Sequence, residues 1–87
     1  MVLFYASERK NHMPTIDMTA TGKNIHNMIK EKKMTIAYVQ DVFGFNTPQA
    51  IYKWFRGDTI PTIDNLVILA KILDTTVDGI IVVNAAD

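Results

Sequence analysis

The sequence predicts an all-α domain of five short helices preceded by an N-terminal arm, and two observations support this prediction. Apolar residues recur three and four positions apart in successive segments between residues 21 and 73, as expected for amphipathic helices. Glycine, threonine and proline residues stand between those segments, where they favour helix ends and helix starts. We therefore expect an arm over residues 1–20 and one helical domain over residues 21–87.

Eighty-seven residues are enough for one small domain, and the composition excludes several classes of protein. The chain has no cysteine, so disulfide bonds and the usual structural zinc sites are excluded. No apolar run reaches the roughly 18 residues that a membrane-spanning helix needs. The apolar start at residues 1–6 is too short for a signal peptide. We expect a soluble, cytoplasmic protein.

Charge is distributed unevenly along the chain, although its net charge is zero. Residues 22–57 contain six basic and two acidic side chains, which gives this region a net charge of +4. Residues 58–87 contain one basic and five acidic side chains, which gives −4. A basic face can bind phosphates while the acidic region is turned away from them, but a solvated helical surface would also explain the pattern.

The first helix is expected to begin near Thr21 and to end in a lysine-rich turn at residues 30–33. Lysines in the last turn complement the negative end of the helix dipole. In the arm, Val2–Tyr5 has the composition of a short strand, which could pair with Ile81–Val83 of the same or a neighbouring chain. The helix itself is indicated by three residues at the spacing of one apolar face: Ile25, Met28 and Ile29.

The second, fourth and fifth helices each follow a threonine that can serve as an N-cap. Thr35 precedes the second helix, which is expected to end at Gly44, since glycine adopts a left-handed backbone at little cost. Thr62 precedes the fourth helix, which is expected to end near Leu73. The fifth helix is short, around residues 77–81, and has two candidate caps: Thr75 and Thr76.

The third helix is expected over about residues 47–56, capped by Asn46 or Thr47, with Pro48 near its first position and Gly57 after its last. Two short helices joined by such a glycine-containing turn have the outline of a helix-turn-helix. Projected on a helical wheel, the third helix has an apolar face made by Ala50, Ile51, Trp54 and Phe55. Its opposite face carries Gln49, Tyr52, Lys53 and Arg56.

The outward face of the third helix thus holds an amide, a phenol and two cations, and the helix contains no acidic residue. Such side chains contact base edges and phosphates in protein–DNA complexes. Polar residues opposite a core are also expected in any amphipathic helix, so the pattern alone leaves both interpretations open. Trp54 and Phe55 are expected in the core rather than as platforms for stacked bases.

The order and spacing of these features resemble the Cro/CI-type (XRE-like) family of bacterial and phage regulators. The resemblance covers residues 25–81, about two thirds of the chain, and implies a five-helix, lambda-repressor-like bundle. It also implies that the third helix enters the major groove, usually in a dimer. The residues that carry it are Ile25, Met28, Ile29, Lys30, Thr35, Val39, Phe43-Gly44-Phe45, Ile51-Tyr52-Lys53-Trp54, Gly57, Pro61, Leu66, Leu69-Ala70, Leu73, Val77-Asp78 and Ile80.

Four features depart from the pattern of this family. The turn between Gly44 and Ile51 is one residue longer than is common. Gln40 stands where a small alanine often packs the two helices together, and Ile36 stands where a phosphate-binding glutamine is common. Asp58 replaces a basic residue. The changes at Ile36 and Asp58 weaken anchoring to the DNA backbone, which predicts modest affinity or strong dependence on dimerisation.

These observations together predict sequence-specific binding of double-stranded DNA by a transcriptional regulator. We expect a repressor that binds a pseudo-palindromic operator as a homodimer. Gln49 and Lys53 are expected to contact base edges. Contacts with phosphates, or with both phosphates and bases, are expected for Tyr52, Arg56 and Thr47. Helix four has apolar residues beyond its main face, which the fifth helix, the arm or another subunit must cover: Val67, Ile68 and Ile72.

Two alternatives differ in the class of protein. The first is an antitoxin or accessory module that binds another protein through the same fold, as the residues at Ile36 and Asp58 suggest. The second is a small catalytic domain, but the sequence contains no Ser/His/Asp set, paired acids, phosphate-binding loop or dinucleotide-binding glycine pattern. His12 and His26 also lack partners at metal-ligand spacing. We therefore expect no enzymatic activity, cofactor or metal.

Overall fold

The computed structural model describes residues 13–84, in which five helices form one bundle and two short strands pair beside it. The helices are α1 (Met18–Glu31), α2 (Ile36–Phe43), α3 (Gln49–Arg56), α4 (Ile63–Ile72) and α5 (Val77–Ile80). The strands are β1 (Thr15–Ile16) and β2 (Val83–Asn84). The predicted five-helix, all-α fold is confirmed.

Local chemistry explains most of the helix ends. The hydroxyl of Thr35 accepts a hydrogen bond from the N–H of Tyr38, and the hydroxyls of Thr62 and Thr76 cap α4 and α5 in the same way. Gly44 and Gly57 end α2 and α3 in the left-handed conformation, with φ of 69° and 78°. These sequence predictions are confirmed.

The start of α1 differs from the prediction. The helix begins at Met18 rather than near Thr21, so residues 18–20 belong to a helix and not to an arm. Asp17 is the N-cap, because its carboxylate accepts a hydrogen bond from the N–H of Ala20 at 2.9 Å. The first turn of α1 lacks an apolar stripe because its neighbour is the backbone of the turn after α3, close to Thr19.

Strands β1 and β2 pair antiparallel, with Thr15 opposite Asn84 and Ile16 opposite Val83. Of the C-terminal segment for which we predicted strand pairing, Ile81–Val83, only Val83 lies in β2, whose partner is Thr15–Ile16 of the same chain. The segment Val2–Tyr5, for which we predicted such pairing, lies outside the described residues, as does His12.

The core lies where α1, α3 and α4 meet and is closed by residues from α2 and α5. Leu66, Leu69 and Ala70 of α4 and the C-cap residue Leu73 are buried, as predicted, while Ile72 is half-buried against the core. Val67 and Ile68 are exposed. The buried apolar residues are Ile25, Ile29, Val39, Ile51, Trp54, Leu66, Leu69, Ala70, Leu73 and Ile80.

The buried hydroxyl of Thr21 connects the C-terminal segment to α1 through hydrogen bonds. It accepts a hydrogen bond from the N–H of Val82 at 2.9 Å and lies 3.3 Å from the Val82 carbonyl oxygen, to which it donates. We expect Thr21→Val to lower the free energy of unfolding by about 1–3 kcal/mol, because the shape is kept but the Val82 N–H loses its partner.

Urea unfolding of the Thr21→Val protein measures this effect, and Thr59→Val is the matched control because Thr59 is exposed in a loop. The control should change the free energy of unfolding by no more than about 0.5 kcal/mol. Equal losses for the two variants would contradict a specific role for the Thr21 hydroxyl.

Candidate nucleic-acid interface

The outer face of α3 presents the polar side chains that the helical wheel predicted. Gln49, Tyr52, Lys53 and Arg56 are exposed, and together they line a shallow surface cavity of about 320 Å³. Their spacing of three, four and seven residues places them on one side of the helix. The structure therefore brings four of the five predicted contact residues together on one surface.

The inner face of α3 is fixed by aromatic packing against α2 and the turn between the two helices. The ring of Trp54 meets the rings of Phe43 and Phe45 edge to face, at centroid distances of 5.4 and 5.8 Å. Phe43 and Phe45 also stack on each other at 5.4 Å. Because Ile51 beside them is fully buried, the direction in which α3 presents its polar face is determined by the core.

The turn between α2 and α3 comprises residues 44–48 and carries its own hydrogen bonds. The N–H of Phe45 donates to the Gln40 carbonyl at 3.0 Å, and the Gln40 side-chain amide donates to the Phe45 carbonyl at 3.0 Å. Gln40 thus forms hydrogen bonds with both the N–H and the carbonyl oxygen of Phe45. The side chain stabilises the turn by hydrogen bonds where a small residue would stabilise it by close packing.

The start of α3 differs from the prediction. Neither Asn46 nor Thr47 is the N-cap, because Pro48 takes that position with φ of −83° and ψ of 7°, and its carbonyl accepts from the N–H of Tyr52. Thr47 lies one residue further out, with its hydroxyl 3.5 Å from the Gln49 N–H. Thr47 is exposed beside the helix but does not line the cavity with the other four residues.

Helix α1 supports α3 from the other side. A Cβ atom added to Gly22 would clash with the carbonyl oxygens of Trp54 and Phe55, the latter at 2.8 Å, so the two backbones are in close contact. His26 stacks on Phe55 with ring centroids 4.1 Å apart, and Phe55 meets Tyr52 edge to face at 6.0 Å. His26 is exposed, and its stacking on Phe55, which in turn contacts Tyr52, depends on tertiary packing that the sequence does not show.

A model of the helix-turn-helix family matches residues 25–80, which include α2, α3 and the turn that joins them. The chain belongs to the helix-turn-helix family of the Cro/CI type. It is therefore a DNA-binding helix-turn-helix domain, as the resemblance predicted.

Solved structures with the same fold include two of HppE. One is the crystal structure of Fe(II)-HppE with the alternative substrate (S)-1-HPP, with a TM-score of 0.65 and 21% identity over 75% of this chain and 33% of that chain. The other is Fe(II) HppE in complex with substrate form 1, with a TM-score of 0.66 and 21% identity over 75% of this chain and 37% of that one. The present chain thus spans about a third of the HppE chains. No curated protein matches it.

One feature of this helix-turn-helix domain that the sequence did not predict is an ion pair at the C-terminal end of α3. The Nε atom of Arg56 donates to Oδ2 of Asp58 at 2.9 Å. The sequence predicted that Asp58 weakens backbone anchoring, but not that it binds a predicted DNA-contacting residue. The sequence feature that could have indicated this ion pair is Gly57, which lies between the two residues. Its left-handed conformation turns the chain back towards the helix.

The basic region predicted from the sequence is exposed throughout, since every Lys and Arg between residues 22 and 57 is exposed. Nζ of one of these cations, Lys32, lies 4.0 Å from Oδ2 of Asp74, which belongs to the acidic region of residues 58–87. Within residues 13–84, no His, Cys, Asp and Glu side chains form a group of three or more that could hold a metal ion. In the same part of the chain, no helix combines the length and apolar character needed to cross a membrane.

Proposed function

We propose that this domain binds specific double-stranded DNA sequences as a transcriptional repressor, with α3 in the major groove. The main observation is the outer face of α3, on which four polar residues are exposed together: Gln49, Tyr52, Lys53 and Arg56. On the opposite face, Ile51 and Trp54 are buried in the core. No acidic residue lies on this helix to repel phosphates. The proposal is for binding, and we assign the chain no enzymatic activity.

The position of each side chain along α3 supports a division of roles. Residues near the N-terminus of a recognition helix commonly contact base edges. Gln49 is the first residue of α3, and its amide can pair with N6 and N7 of adenine. Lys53 lies one turn further along and can donate to O6 or N7 of guanine. We assign Tyr52 and Thr47 to contacts with phosphates, or with both phosphates and bases.

A homodimer would supply the second recognition helix that a pseudo-palindromic operator requires. Two copies related by a two-fold axis place their helices in successive major grooves, roughly 34–36 Å apart. On α4, Ile63 and Val67 are 77% and 57% exposed, and they provide apolar surface for contact between copies. This exposed surface supports the dimer proposal, which sedimentation of the free protein and its operator complex would test.

A second candidate function is an antitoxin or accessory role in which the domain chiefly binds another protein. The observation in its favour is the weakened set of phosphate anchors, since Ile36 replaces a polar residue and Asp58 pairs with Arg56. Binding to a protein partner would depend little on salt, whereas binding to duplex DNA falls steeply as salt rises. The two functions are therefore distinguishable in one titration.

Lys53→Ala is expected to weaken binding to a random-sequence duplex and to make the plot of log K against log salt shallower by about one unit per protomer. The reason is that one cation is removed from the surface that meets the DNA. Fluorescence anisotropy of a labelled duplex, titrated at several salt concentrations, measures both quantities.

Lys71→Ala is the matched control, because Lys71 is also an exposed lysine but lies on α4. The control should leave the affinity and the salt dependence close to those of the wild type. Equal effects of the two substitutions would exclude α3 as the face that binds DNA. A duplex affinity that does not respond to salt would favour the protein-binding role.

A further inference from the structure

The ion pair between Arg56 and Asp58 lies at the edge of the proposed DNA-binding face. The side chains of the two residues are 58% and 53% exposed, and an ion pair in such a setting adds little to stability. Arg56 nevertheless lines the same cavity as Gln49, Tyr52 and Lys53. We therefore expect the ion pair to affect which groups of the DNA Arg56 contacts, rather than the stability of the domain.

The backbone that carries Asp58 is held rigidly on α3 and α1. The N–H of Asp58 donates to the Lys53 carbonyl at 3.0 Å, and the N–H of Gly57 donates to the Trp54 carbonyl at 3.0 Å. A Cβ atom added to Gly57 would lie 2.8 Å from the Cα of Thr19, so this turn rests directly on the backbone of α1. The backbone of Asp58 is thus fixed beside the end of α3, where its carboxylate lies 2.9 Å from Nε of Arg56.

The hydrogen bond to Asp58 limits the targets that Arg56 can take. It uses the Nε–H donor and leaves the two terminal nitrogens, whose parallel N–H groups form a planar fork. The neighbouring carboxylate also offsets the positive charge, which weakens attraction to a lone phosphate. The fork fits two phosphate oxygens as well as a guanine edge with O6 and N7 side by side, so the offset charge is what favours the uncharged guanine.

We propose that Asp58 is a positioning residue, which holds Arg56 for contact with a guanine base in the major groove and away from the phosphate backbone. The proposal rests on the proposed function and refines it, because Arg56 becomes a base-contacting residue. The specificity of the domain then depends on Asp58, although Asp58 itself contacts no DNA.

The test is selection of bound sequences from a random duplex pool by the wild type and by Asp58→Asn, which keeps the shape but removes the charge. Asp64→Asn is the matched control, because Asp64 is an exposed carboxylate on α4. The wild type and the control should select the same motif, with a guanine at a fixed position in each half-site. The Asp58→Asn protein should lose the preference for that guanine.

The same variants are then titrated with random-sequence duplex. Asp58→Asn should bind it about 3-fold to 10-fold more tightly and with a salt dependence steeper by about one unit per protomer, since Arg56 becomes free to neutralise a phosphate. Arg56→Lys should weaken the preference for that guanine yet retain affinity for random duplex, because lysine keeps the charge but cannot reproduce the two parallel N–H donors of the fork.

An unchanged guanine preference in Asp58→Asn, with the wild-type motif still selected, would overturn the role of Asp58 and leave the proposed function intact. Failure of the wild type to enrich any sequence would instead overturn the proposed function, and the guanine contact with it. Thermal unfolding of each variant verifies that the fold is retained in every comparison.

Discussion

Trp54→Ala is expected to lower the free energy of unfolding by about 3–5 kcal/mol, which is the range for removal of a large buried aromatic side chain. Trp54 is only 4% exposed and joins α3 to Phe43 of α2 and Phe45 of the turn. Its removal leaves a cavity between α3 and these two rings. Denaturant unfolding, followed by circular dichroism, measures the loss.

Tyr52→Ala is the control on the same helix, because Tyr52 is aromatic but lies on the exposed face. It should change stability by no more than about 1 kcal/mol and should weaken DNA binding while the protein remains folded. Trp54→Ala should lose DNA binding only to the extent that it unfolds. A Trp54→Ala protein with the unfolding midpoint of the wild type would show that the tryptophan does not hold α3 in place.

Gly22→Ala is expected to lower the free energy of unfolding by about 3 kcal/mol, at the upper end of the range for overpacked sites. Helix propensity alone would favour alanine by about 1 kcal/mol, so the sign of the change decides between the two effects. The added Cβ would clash with the backbone carbonyls of Trp54 and Phe55, and backbone atoms can yield only if α1 and α3 separate.

Gly44→Ala separates this clash from the general effect of replacing a glycine. Gly44 has open space around its Cα, but its φ of 69° is unfavourable for alanine and should cost about 1 kcal/mol. We expect Gly22→Ala to be the more damaging substitution, although Gly44 is the one of these two glycines that has a left-handed backbone. Stabilisation by Gly22→Ala would show that the two helices are not in close contact.

The parts of the fold that the sequence predicted correctly are those that depend on a few neighbouring residues. A threonine hydroxyl caps the helix that directly follows it, as at Thr35 and Thr62, and the glycines at positions 44 and 57 end the helices that precede them. The exposed face of α3 was predictable for the same reason, because helical periodicity separates its polar residues from Ile51 and Trp54.

The features that the sequence did not predict depend on contacts between distant segments. The early start of α1 at Met18 reflects packing against the turn at Gly57, and two-residue strands such as Thr15–Ile16 are too short to show a period of two. Residues two apart do not face each other on a helix, so the pairing of Arg56 with Asp58 becomes visible only once the turn between them is known.

Selection of bound sequences from a random duplex pool tests the central claim most directly, because it asks whether α3 distinguishes one DNA sequence from another. We expect an enriched motif with two inverted half-sites whose centres are about 10–10.5 base pairs apart, bound by two copies of the chain. A single, non-repeated motif bound by one copy would contradict the dimer. Recovered sequences indistinguishable from the starting pool would contradict sequence-specific DNA binding altogether.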